Sequence, residues 1–165
     1  MARLGPLPQP KDRKRSKMRA WRGGFALLVL AFGLATSAAA DADAASLTVT
    51  VRNARNAAGI ITVSVFNSEA TFLDNDLEFA SIDVPARPGD IPVVFEGLPP
   101  GTYAVAAFHD ENVSGSVDTN FLGIPTEGYG FSNGARVFLG PPSFKDAAVE
   151  LPPKAKVETK LELSY

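Results

Sequence analysis

Residues able to do chemistry concentrate in one stretch. Asp110-x-Asn112-x-Ser114-Gly115-x-x-Asp118 follows the first nine positions of a calcium-binding loop. Ca2+ takes about six to eight hard oxygens, and alternate residues of a tight loop point toward one centre. Asp110, Asn112, Ser114 and Asp118 would supply side-chain oxygens and Ser116 its carbonyl, while Gly115 sits where the loop turns sharply. The twelfth position is Phe121 rather than a bidentate glutamate. A cation held here is therefore expected to be held weakly, with Glu127 or Asp146 as candidate substitutes across space. The plainer expectation is a surface turn whose Asp and Asn side chains accept from their own backbone.

Gly130-Phe131-Ser132-Asn133-Gly134 spells Gly-x-Ser-x-Gly. That pattern makes a nucleophile only on a strained strand-to-helix turn with the histidine later in the chain. No helical pattern follows, and the sole histidine, His109, precedes Ser132, so no serine nucleophile is expected. His109 ends an apolar strand beside Asp110 and is expected to anchor the loop by hydrogen bonding. Phe121, Tyr129, Phe131, Phe138 and Phe144 are scattered among glycines and prolines. They read either as an aromatic platform for a sugar or peptide, or as rings that give the loop its own small core. His109, Asn120, Tyr129 and Phe131 are the candidate binding residues. An enzymatic alternative places a hydrolytic pair among Asp110, Glu111, Asp118 and Glu127, acting on cell-envelope carbohydrate. It requires two carboxyls about 5–9.5 Å apart across a cleft.

The charges that surround this stretch are segregated. Residues 1–40 hold eight of the 16 Lys and Arg but one of the 18 Asp and Glu, which leaves residues 41–165 at −9. An acidic body excludes nucleic acid as a partner, because phosphate binding needs clustered cations. There is no cysteine, hence no disulfide and no thiol chemistry. The basic run ending at Arg22, the apolar centre over residues 25–35 and the small residues before Asp41 are the three parts of a secretory signal, with cleavage expected near Ala40. The apolar centre is shorter than the roughly 20 residues of a bilayer span, and the mature chain has no longer one. A periplasmic or secreted location follows as the expectation.

The elements that must position these residues are short strands. Alternation predicts strands over 46–52 and 60–66, joined as an antiparallel hairpin. Residues 67–73 predict one or two helical turns capped by Asn67 or Ser68. A weak strand over 80–84, an edge strand over 91–96 containing Pro92, strands over 104–108 and 147–151, and a cleanly alternating strand over 156–165 complete a count of seven. Leu98-Pro99-Pro100-Gly101-Thr102-Tyr103 before an apolar strand has the form of a tyrosine corner, in which the phenol bonds a backbone group just upstream. Residues 111–145 read as one long ordered loop within a single domain, 41–165; loops of that length in compact domains are usually functional.

The runs Phe95-x-Gly97-Leu98-Pro99-Pro100-Gly101-x-Tyr103 and His109-Asp110-Glu111-Asn112, the segment from Asp118 to Asn133, and Gly140-Pro141-Pro142-Ser143-Phe144 together resemble the bacterial family known as domain of unknown function 2141. The resemblance covers about residues 46–165. It implies a secreted or periplasmic protein without an established activity, and it transfers no catalytic residue. In that family the loop after His-Asp often reads Glu-Asn-Gly-Asn-Gly; Val113 and Ser114 stand here instead, which weakens a metal ligand at Ser114. The proline-glycine run is also similar to prealbumin-like and carboxypeptidase-regulatory-like modules, which usually bind or support. The expected protein is therefore an all-β, seven-stranded antiparallel β-sandwich of the Ig-like or prealbumin-like kind. It would be exported and non-enzymatic, with loop 110–134 as its interaction surface, ordered by Ca2+ if that cation binds. Its partner would be an envelope protein or glycan.

Overall fold

The computed structural model describes residues 43–74, 76–137 and 140–165; the export segment read over 1–40, and Phe138, lie outside them. The described residues form eight strands: β1 (Ala45–Arg52), β2 (Ile60–Phe66), β3 (Ala80–Pro85), β4 (Ile91–Leu98), β5 (Gly101–Asp110), β6 (Gly128–Phe131), β7 (Ala148–Leu151) and β8 (Lys156–Glu162). They make two sheets, one ordered β4-β1-β8 and one ordered β3-β2-β5-β6 with β7 also on β5. Strand alternation sends Leu47, Val49 and Val51 of β1 and Ile61, Val63 and Val65 of β2 into one shared core, all fully buried. Each such side chain contributes about 1.5–3 kcal/mol by leaving water, and this burial holds the sheets face to face.

Three expectations are corrected. The strand count is eight rather than seven, because β6 lies inside the stretch read as loop. The strands are not all antiparallel: β8 runs parallel to β1, Leu47 opposite Val157 through Val51 opposite Leu161. It does so because the turn after β7, where Ala155 N–H donates to the Pro152 carbonyl, carries the chain from the second sheet to the first. Nor do β1 and β2 form a hairpin; β1 pairs with β4 and β8, and β2 with β3 and β5. Both strands have an apolar face, and residues 53–59 are long enough to cross between sheets, so each strand completes a different sheet around the same core.

The tyrosine corner is present. Tyr103 Oη donates to the Pro99 carbonyl at 2.9 Å, and its ring lies in the core. Ser68 caps a single 3-10 turn, Glu69–Thr71, by accepting from Ala70 N–H at 3.1 Å. Behind that turn Phe72 makes edge contacts with Phe66, Phe131 and Phe144. Phe72, Phe131 and Phe144 belong to a second, smaller apolar cluster on the outer face of the β5 sheet, around buried Ala104 and Ala147.

Two details explain β6. Its glycines lie against the other sheet: a Cβ on Gly130 would collide with the Glu162 carbonyl, and one on Gly128 with the Tyr165 ring. That closeness lets Tyr129 N–H donate to the Ser164 carbonyl at 2.9 Å and Ser164 N–H return to the Tyr129 carbonyl at 2.8 Å, joining the sheets at this edge. In addition, β5 shares its far edge between two partners: β7 opposite Gly101–Ala104 and β6 opposite Ala106–His109. Val105 falls in the gap. Its N–H donates to Ser132 Oγ at 2.9 Å, and that hydroxyl donates to the Ala147 carbonyl at 2.5 Å. A fully buried side chain thus replaces the missing ladder bond.

Candidate functional site

The excursion of residues 111–127 leaves β5 after Asp110 and re-enters at Gly128, which lies opposite His109. Two buried carboxylates hold its stem. Asp110 accepts from Ser114 N–H at 2.9 Å and Gly115 N–H at 2.7 Å. Glu127 accepts from Glu111 N–H at 2.9 Å and Asp118 N–H at 3.0 Å, so one side chain ties the start of the excursion to its middle. Buried carboxylates are tolerable when hydrogen bonds replace lost hydration, and these two spend their oxygens on otherwise unpaired backbone donors.

Farther out the chain folds back on itself. Thr126 N–H donates to the Asp118 carbonyl at 2.8 Å, and Thr119 bridges to Pro125. Asn120 then builds the tip: its Oδ1 accepts from Leu122 N–H at 2.9 Å and Ile124 N–H at 3.1 Å, and its own N–H donates to the Ile124 carbonyl at 2.9 Å. The product is a tight turn that points Phe121, 94% exposed, into solvent beside exposed Leu122 and Ile124.

A second set of bonds anchors the stem from the opposite face. His109 is fully buried; its Nε2 lies 2.7 Å from the Ala58 carbonyl and its Nδ1 2.7 Å from Tyr165 Oη. A carbonyl only accepts, so Nε2 carries a proton; in the neutral ring Nδ1 then accepts from Tyr165, whose Oη accepts from Arg55 N–H at 3.0 Å. Gly59 makes the approach feasible, since its φ is +65° and a Cβ there would strike the Asp110 carbonyl. The Arg55 guanidinium lies 4.5 Å from the centre of the Tyr165 ring and pairs with Glu111 at 2.5 Å. Glu111 also accepts from Asn56 Nδ2 at 2.8 Å. Desolvation opposes the Glu111 charge, but the hydrogen bonds from Asn56 and Arg55 and the Arg55 charge outweigh it and hold the carboxyl below its ordinary value.

The residues of the calcium reading do lie in one turn, engaged with each other. Asn112 Nδ2 donates to Asp118 at 2.6 Å, Asn112 Oδ1 accepts from Ser114 N–H at 3.0 Å, and Ser114 Oγ donates to the Ser116 carbonyl at 3.0 Å. Among the described residues no group of three or more His, Asp or Glu is placed to hold a metal ion. Of the four candidate binding residues, Asn120 shapes the tip. His109 is separated from the other two, facing inward with Ala107 while Tyr129 and Phe131 face outward opposite Phe108 and Ala106. Sequence reasoning missed Arg55 and Tyr165, which are remote in the chain. It named Glu127 only as a spare ligand or acid; its place just before β6, mirroring Asp110 just after β5, was the available signal.

Two cavities share lining residues around β6. One, of about 430 Å3, has Ala106, Phe108, Tyr129 and Phe131 as its floor and Val117, Thr119 and Pro125 of the excursion as a wall. The other, of about 710 Å3, shares Tyr129, Phe131 and Val137 with it and adds Arg136, Lys160, Glu162 and Ser164. Neither is lined by Asp110, Glu111, Asp118 or Glu127. Residues 49–159 match a family described as an uncharacterized protein conserved in bacteria, DUF2141. No curated protein and no solved structure matches the chain.

Proposed function

Because the chain belongs to this bacterial family of uncharacterized proteins, we propose a function from its geometry: an exported, non-enzymatic binding module of the Ig-like or prealbumin-like kind. Its ordered loop, residues 110–134, docks an envelope protein. The observation that carries this reading is the tip. Phe121, Leu122 and Ile124 are exposed on a turn already closed by Asn120. Apolar side chains clustered in solvent mark interaction sites. A turn ordered in advance leaves less conformational entropy to oppose association. A protein pocket suits this tip better than a glycan does, because the single exposed ring of Phe121 stands beside two exposed aliphatic side chains, Leu122 and Ile124, rather than beside polar groups that would bond sugar hydroxyls. Ordering by Ca2+, expected of Asp110, Asn112, Ser114, Ser116 and Asp118, is not required here, since Asp110 and Glu127 already bind the backbone. The carbohydrate-hydrolase alternative gains nothing from the two cavities, which its acids do not line.

The test is crosslinking in intact envelope, comparing the natural chain with a Phe121→Ser, Leu122→Ser double variant. An adduct that forms with the first and disappears with the second supports the reading; an adduct indifferent to the tip removes it. Export is tested separately, by N-terminal sequencing of protein released from the periplasm, which is expected to begin at Asp41.

A further inference from the structure

We propose that the two adjoining cavities form one site for a small amphipathic anion, with an apolar body over Ala106 and Phe108 and an anionic head at Arg136 and Lys160. The smaller cavity lies within the roughly 300–1,000 Å3 range of small-molecule sites. Its surroundings are almost wholly carbon: the small side chain of Ala106 leaves room, Phe108, Tyr129 and Phe131 give it aromatic walls, and Thr119 and Tyr129 bring the side-chain hydroxyls. Such a lining selects an apolar group and offers little to a sugar.

The larger cavity supplies the opposite chemistry. Arg136 and Lys160 line it, and neither is in an ion pair among the described residues, whose three pairs use Arg52, Arg55 and Lys154. That is notable in a body with 17 acids against eight bases. Glu162 is the one carboxylate in the same lining, so the cations outnumber it two to one. Tyr129, Phe131 and Val137 belong to both linings, so the cationic and apolar spaces are immediate neighbours. Electropositive groups at the mouth of an apolar space complement an amphiphile whose charge stays in water while its body is buried.

This site meets the tip that docks a partner only at Gly123, and Phe121, Leu122 and Ile124 do not line it, so the two readings fail separately. Dodecanoate and its neutral analogue dodecanol are titrated calorimetrically into the purified protein. Saturable dodecanoate binding is expected. Arg136→Ala with Lys160→Ala should weaken dodecanoate about tenfold or more and leave dodecanol nearly unchanged. Ala106→Trp should abolish both; if it fails to fold by circular dichroism, Thr119→Trp, on the exposed wall, serves instead. The Phe121→Ser, Leu122→Ser variant should bind dodecanoate normally. No saturable dodecanoate binding, equal weakening of both probes by loss of the cations, or binding indifferent to the tryptophan variants overturns the proposal.

Discussion

The phenol oxygen of Tyr165 lies 2.7 Å from Nδ1 of His109, 56 residues earlier in the chain, and accepts in turn from Arg55 N–H. Replacing the phenol leaves Nδ1 of the buried His109 without its partner, while the exposed Arg55 N–H turns to water. Tyr165→Phe is therefore expected to cost about 1–3 kcal/mol, read from urea unfolding. The same geometry predicts an imidazole protonated on Nε2, which nitrogen chemical shifts will report. A fully retained midpoint, or an Nδ1-protonated ring, would contradict the arrangement.

Asp110 and Glu127 each accept from two backbone N–H groups. Hydrogen bonds to charged acceptors are worth about 1.5–3 kcal/mol each. Asp110→Ala with Glu127→Ala should speed amide exchange across residues 111–127 by orders of magnitude while the amides of β1 and β2 stay protected. Unchanged exchange in the excursion would show that these carboxylates do not order it.

Glu111 gives a pH dependence of known sign. Its carboxyl sits below the ordinary value of 4.5 in the folded protein despite partial desolvation, because Asn56 and Arg55 favour the charged form. A group depressed on folding stabilises above its unfolded pKa and loses that contribution as pH falls through its folded pKa. Thermal stability should therefore decline as the medium is acidified below pH 4.5, and Glu111→Gln should flatten the decline. An equal slope in the variant would disprove the coupling.

Val113 adopts φ 59°, a left-handed conformation that a β-branched side chain resists, and it is exposed. No packing compensates for the strain, which is about 1–2 kcal/mol. Val113→Gly should raise stability by up to about 1 kcal/mol after the entropy that glycine adds to the unfolded chain. A lower melting temperature would mean that the valine makes a contact which offsets its backbone.

With the stem held by protein groups, millimolar Ca2+ or a chelator should leave the melting temperature unchanged. A ligand bound at a hundred times its Kd adds about 2.7 kcal/mol, so real occupancy could not escape notice. A clear upward shift with Ca2+ would reinstate the cation.

Much of the fold was legible because alternation is a local signal. The β2 bounds match their apolar pattern, and Tyr103 revealed its corner through the prolines and glycine before it. β6 was not legible: its two glycines are of a type depleted in strands and mask the preference of Tyr129 and Phe131, and those glycines answer to Glu162 and Tyr165, far along the chain. Sheet partners were equally hidden, since an apolar face says that a strand is half buried but not beside which neighbour. The calcium-like spacing correctly located a turn of Asx bonds. Its stem could not be read, because Glu127, Arg55 and Tyr165 meet only after folding.

The excursion interrupts two strands that are already joined, at His109 and Gly128. It therefore behaves as a removable head on a fixed socket, with Asp110 and Glu127 as the pins. Mutation can redraw the head without disturbing how the sheets assemble.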